Sequence, residues 1–313
     1  VPLDPATRRF LDTLAASGAP GTLTPAIEER RRSLAQLLSF SGRTRAVGNI
    51  ENRTLPGPAG ALRVRIYSPP GVPARQLLPG LLYLHGGGLV AGTLDTHDAI
   101  CRALARACRA RLLSLDYRLA PEHPFPAALA DGCAALAWVA AHAGEVGVDE
   151  ERLVVCGDSA GATLAAVVCH TAAAAGGPRV AGQFLLCPIM DYAAESASRR
   201  ALAEGYLVSR ATLEQDLRHY LPAGADRADP RVSPLRAPLL GALPPTCVHT
   251  AEFDPLRDEG AAYSERLRAA GVPGTYRCHP GMIHLFYGLG ALIPYADTAF
   301  HLMGADVRAL LAR

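Results

Sequence analysis

Two rhythms divide the chain. Over the first forty residues apolar positions recur at helical spacing: Phe10, Leu11 and Leu14 form one stripe, and Ile27, Leu34, Leu37 and Leu38 form another. The same device introduces both. Asp4 before Pro5, and Thr24 before Pro25, put a capping side chain ahead of a proline at the first helical position, where no backbone donor is needed. Gly18 to Gly21 breaks the pattern between them. From residue 61 the period falls to two. Leu62, Val64 and Ile66 alternate with Arg63 and Arg65, which predicts a strand wet on one face.

Farther on, the apolar runs become short and continuous. Residues 81–84, 111–115, 153–156, 184–187, 246–250 and 275–278 predict strands buried on both faces. Between them, residues 96–109, 127–142, 160–175 and 258–270 predict helices, and the tail from Tyr295 a last one. Such alternation predicts an α/β fold, a mostly parallel central sheet with helices on both faces. Residues 191–228 interrupt the alternation and hold one helical pattern, 210–220. The expected organisation is a pair of N-terminal cap helices (residues 1–45) and a catalytic domain (residues 46–313). The insertion at about 191–228 would join the cap over the strand ends.

Composition narrows the chemistry. Half of the 313 residues are apolar and the net charge is +2, which argues against disorder, a nucleic-acid groove or an anionic-membrane patch. All 31 basic residues are arginine. Without lysine there is no Schiff base, no pyridoxal-phosphate anchor and no phosphate-loop lysine. Eight cysteines lie mostly inside apolar runs and form no C-x-x-C pair, so they read as buried free thiols of a reducing compartment. No cluster has metal-ligand spacing, so neither metal nor cofactor is expected. The polar start lacks a signal-peptide core, and no apolar run reaches bilayer length. A cytoplasmic location is the expectation.

Gly157-Asp158-Ser159-Ala160-Gly161 is the only G-x-S-x-G in the chain. It lies between an apolar strand and a helical run, the setting in which a sharp turn lifts a serine oxygen above the sheet. Ser159 is the candidate nucleophile, and Asp158 reads as a local hydrogen-bonding residue. His85-Gly86-Gly87-Gly88 follows the strand 81–84. Consecutive glycines let backbone N–H groups converge on one oxygen, so Gly86, Gly87 and Ala160 are the expected oxyanion donors. The same glycines fit G-x-G-x-x-A. Dinucleotide binding would need the helix to open directly there, whereas Gly92 and Thr93 intervene.

Chain order places the acid and base after the serine. Asp254 ends the strand 246–250, with Asp258 as its rival, and His284 follows the strand 275–278, with His279 as its rival. Asp254 and His284 are favoured because both lie in loops beyond strand ends, where open α/β sheets bind ligands.

With these residues in place, the chain resembles the bacterial hormone-sensitive-lipase-like esterases of the α/β-hydrolase fold, the branch with GDSAG at the nucleophile. The likeness spans residues 60–290. It runs through Leu84 to Gly88, Leu94 to Asp98, Asp116 to Ala128, Gly157 to Gly161, Asp254 to Glu259 and Gly281 to His284. It implies Ser159, Asp254 and His284 as a triad, Gly86, Gly87 and Ala160 as oxyanion donors, the N-terminal helices as a cap, and a homodimer. Leu89 stands where the family usually has an aromatic residue, and Ala162 replaces a common glycine. Leu89, Asp158 and Leu285 are the candidate pocket residues. The expected activity is hydrolysis of short-acyl esters through an acyl-serine. The alternatives are a deacetylase or amidase of a small natural product, or a non-catalytic small-molecule receptor, which would lack His284.

Overall fold

The structure is a computed structural model that describes residues 2–17, 26–73, 76–238 and 241–312. The first helix, α1 (Pro5–Ala16), is capped as its sequence predicts: the Asp4 carboxylate accepts from the N–H groups of Ala6 and Thr7 at 2.8 and 3.1 Å. The Thr24–Pro25 device lies outside the described residues, and the second helix, α2, is Ile27–Leu38. A hairpin follows, β1 (Asn49–Gly57) with β2 (Gly60–Ser68). The sequence pattern did not announce β1. Only Leu55 in it is buried, so it shows no alternation, and as an edge strand it tolerates Pro56.

The remaining elements alternate. They are β3 (Leu78–Leu84), α3 (Asp98–Cys108), β4 (Arg111–Asp116), α4 (Ala127–Ala141), β5 (Val148–Asp158), α5 (Ala160–Ala174) and β6 (Gly182–Leu186). After two further helices, α6 (Ala197–Ala201) and α7 (Arg210–Tyr220), come β7 (Thr246–Phe253), α8 (Arg257–Ala269), β8 (Gly274–Ile283) and α9 (Tyr295–Leu311). The eight strands form one sheet in the order β1-β2-β4-β3-β5-β6-β7-β8. From β4 to β8 all neighbours are parallel, while β2 runs antiparallel to both β1 and β4.

This order has a functional consequence. After β3 the chain steps outward to β4, and after β5 it steps the opposite way, to β6. Between β3 and β5 lies the topological switch point, where loops diverge and leave a crevice at the strands' carboxyl ends. His85–Gly88 and Ser159 emerge there side by side. The continuous apolar runs are explained by burial on both faces: Leu81, Leu82, Leu112, Leu113, Val154 and Val155 are all fully buried. Among the described residues six non-glycine positions have positive φ, and four of them (Leu89, Ser159, Cys187 and Leu285) lie in loops following β3, β5, β6 and β8. The switch-point face is therefore also where the backbone is least relaxed.

Candidate active site

Ser159 stands between the last residue of β5 and the first of α5, with φ 53° and ψ −128°. Its N–H donates to Leu186 O at 2.8 Å, fixing the turn to the neighbouring strand. Gly161 makes the turn possible: any Cβ there would collide with the carbonyls of Leu84 and His85. Only glycine lets α5 cross the end of β3 so closely.

His284 follows β8 and Asp254 follows β7, so neighbouring strands deliver both to Ser159. His284 Nε2 lies 3.0 Å from Ser159 Oγ, and Nδ1 lies 2.8 Å from Asp254 Oδ2. The other Asp254 oxygen accepts from Leu256 N–H at 2.9 Å. Both side chains are buried. Burial works against charge on the imidazole, but the Asp254 carboxylate outweighs it and holds His284 above its ordinary pKa.

The rivals are occupied elsewhere. His279 Nε2 lies 3.0 Å from His249 Nδ1, and its Nδ1 lies 3.2 Å from the Tyr295 hydroxyl. Burial, with His249 beside it, pushes its pKa down to about 3. Asp258 accepts from Ser198 N–H at 2.7 Å. His85 stacks on Tyr117 with ring centroids 4.4 Å apart, and burial lowers it to about 3.

Two expectations need correction. Gly86 is not an available oxyanion donor, because its N–H already donates to Asp158 Oδ1 at 2.7 Å. Asp158 is not a pocket residue. It is wholly buried and accepts from Tyr83 and Tyr287 hydroxyls as well, so one carboxylate brackets β3, the end of β5 and the turn after His284. Gly87 and Gly88, at φ +119° and +68°, are the glycines whose N–H groups meet no acceptor among the described residues. Ala160 N–H, at the first position of α5, has no intrahelical partner. Three glycines in a row conceal this register. It is set by a buried carboxylate that takes the first donor for itself.

Leu89 and Leu285 are buried, with φ 63° at each. The N-terminal helices lie against the loops that carry the site. A methyl on Gly87 would sit 3.0 Å from Leu34 Cδ2, and one on Gly288 would press into Leu38 and Leu285. Asp4 N–H donates to Gly281 O at 3.1 Å. Arg31 donates to Val90 O at 2.9 Å and to both Glu122 oxygens, at 2.9 and 2.7 Å. Arg30 Nε and Nη2 donate to Asp216 of α7 at 3.1 and 2.8 Å, with both side chains 7% exposed. That carboxylate packs against Gly88. Sequence reading missed Arg30 and Asp216, since charges in a helical stretch normally mark its wet face. The expected stripe also shifts. In α1 the buried residues are Thr7 and Leu11, with Phe10 and Leu14 half-buried.

Among the described residues one trio could share a metal ion, Cys187 with Asp254 and His284; the latter two already bond each other. No described helix is long and apolar enough to cross a membrane.

Comparison with known proteins places this geometry. Residues 81–288 match the model of an alpha/beta hydrolase fold family. The chain is 39% identical to the carboxylic ester hydrolase LipN of Mycobacterium tuberculosis, over 99% of this chain and 84% of that one. It is 35% identical to an ethyl acetate hydrolase of Pseudomonas putida, over 94% and 95%. An ester hydrolase from the metagenome of Lake Arreo, solved with a bipyridine phosphonate derivative, superposes with a TM-score of 0.95 at 42% identity, covering 99% of this chain and 100% of that one. The chain therefore belongs to the hormone-sensitive-lipase-like esterases of the α/β-hydrolase fold and is a serine carboxylic ester hydrolase.

Proposed function

We propose that Ser159 is the nucleophile, His284 the general base and Asp254 its orienter, acting on small esters with short acyl chains. The observation that carries this is the unbroken line from Ser159 Oγ through both nitrogens of His284 to Asp254, at 3.0 and 2.8 Å. Ser159 Oγ attacks the ester carbonyl while its proton passes to His284 Nε2. The imidazolium so formed is stabilised by Asp254. The carbonyl oxygen, now negative, accepts from Gly87, Gly88 and Ala160 N–H. Collapse expels the alcohol, which takes the proton from His284. Water then repeats the sequence on the acyl-serine, releasing the acid.

The short-acyl reading rests on crowding at the mouth, where Leu34, Leu38, Leu89 and Leu285 are all buried, and on a relative named for ethyl acetate hydrolysis. The cap would comprise α1, α2 and the segment around α7. For the homodimer we propose β8, an edge of the sheet that exposes Tyr276. The test of the main reading is a series of esters from acetate to dodecanoate, run with wild type and with Ser159→Ala. Turnover should peak at or below hexanoate and fall on the order of 10³-fold or more in the variant. An active Ser159→Ala protein would refute the nucleophile, and a dodecanoate optimum would refute the chain length.

A further inference from the structure

Arg30 has three guanidinium nitrogens and uses two. Nε and Nη2 are held by Asp216 at 3.1 and 2.8 Å. Nη1 is buried and has no hydrogen-bond partner among the described residues. A buried N–H without an acceptor costs stability, and native proteins rarely tolerate it without a reason. The place of this orphan matters. Asp216 lies against Gly88, an oxyanion donor in the reading above, and Leu34, one turn along α2 from Arg30, lies against Gly87. The guanidinium is also close enough to His284 for its charge to depress the imidazole's proton affinity. An unsatisfied donor is thus held beside the loop that carries Gly87 and Gly88, by a bidentate ion pair that leaves it little freedom.

We propose that Arg30 Nη1 is a specificity donor for a second oxygen in the substrate, so that the preferred esters carry a neutral acceptor, a carbonyl or ether oxygen, a few bonds from the scissile group. The acceptor is neutral rather than anionic for an electrostatic reason. Asp216 already balances the charge of Arg30, and a substrate carboxylate beside that pair would meet a second anion, Asp216, with only one cationic partner. This inference rests on the ester-hydrolase reading of Ser159 and specifies its substrate. A site with a donor waiting for an oxygen discriminates strongly against the substrate that lacks it, since the donor then stays unpaired in both ground and transition states.

The experiment compares matched esters, methyl levulinate with methyl pentanoate for the acyl side, and methoxyethyl acetate with butyl acetate for the alcohol side. Each enzymatic ratio is divided by the ratio of hydroxide-catalysed rates, which removes intrinsic reactivity. Active sites are counted by phosphonylation of Ser159, so a dead or misfolded preparation is distinguished from one with altered preference. Wild type should favour the oxygenated partner on one side by about tenfold or more in kcat/KM, mostly through KM. That preference should collapse to within about twofold in Arg30→Met, and equally in Arg30→Met/Asp216→Leu, which replaces the whole pair with apolar groups and strands no charge. A purely structural Arg30 would lower both members of each pair alike and leave the ratio intact. Two results overturn the proposal: a wild type without preference on either side, or a preference that survives both variants. Monomethyl glutarate outrunning methyl levulinate would overturn its neutral character.

Discussion

Protonation of one imidazole decides when the site can act. In the proposed mechanism His284 must be neutral to take the serine proton, so kcat/KM should climb as pH rises through its pKa and then level. Because Asp254 holds that pKa above the ordinary value, the ascending limb should lie above about 6.5. In Asp254→Asn the raising charge is gone while burial remains. The limb should then move to lower pH even as the plateau falls, and pH profiles of the two proteins check this; an unmoved limb would contradict the electrostatic account. At Gly88 two constraints meet, a positive φ and the Asp216 carboxylate where a Cβ would go. Gly88→Ala should therefore displace that N–H and lower kcat by about tenfold or more, with a smaller change in KM. That Ser159, Asp254 and His284 come together was legible in the sequence, because each follows a strand whose apolar run is unmistakable. The donor register was not, since it depends on where Asp158 reaches, and that is set by tertiary contact.

Helix α2 contributes both an apolar and an ionic contact to the site. Leu34 rests on Gly87 and Leu38 on Gly288, one turn apart on the face that also carries Arg30. If Leu34 lines the acyl channel, each methylene it shelters is worth about 0.8 kcal/mol. Leu34→Ala should then cost butyrate esters, with two more methylenes, up to about fifteenfold more kcat/KM than acetate esters, together with a stability loss of about 2–5 kcal/mol. Equal losses on both esters would place Leu34 outside the channel. Most elements could be read from periodicity because their buried faces are apolar, although α7 buries Thr212, Gln215 and Asp216 beside Leu217 and Tyr220. β1 could not, since it buries little, and the inner face of α2 was hidden by an arginine whose partner lies 186 residues away.

For the molecule as a whole, the switch point between β3 and β5 explains why residues distant in sequence meet around Ser159. Strand alternation predicts such a sheet, but not which loops become neighbours, so contacts such as Arg30 to Asp216 emerged only with the fold. The strained turns there have a price in folding free energy. Each non-glycine residue at positive φ withholds stability, of order 1–3 kcal/mol where the conformation is sparsely populated. In the proposed mechanism Ser159 is held there for chemistry, and the rest of the chain supplies the reserve that makes this possible. Ser159→Gly should consequently be inactive yet more heat-resistant, with Tm raised by about 2 °C or more. Ser159→Ala keeps the same φ and should gain nothing comparable, so thermal melts of the two variants separate backbone relief from loss of the hydroxyl. If glycine brought no gain, the turn would be unstrained. With the gain, the proposed catalysis and durability compete at a single residue, and selection for heat tolerance alone would drift toward losing the proposed nucleophile.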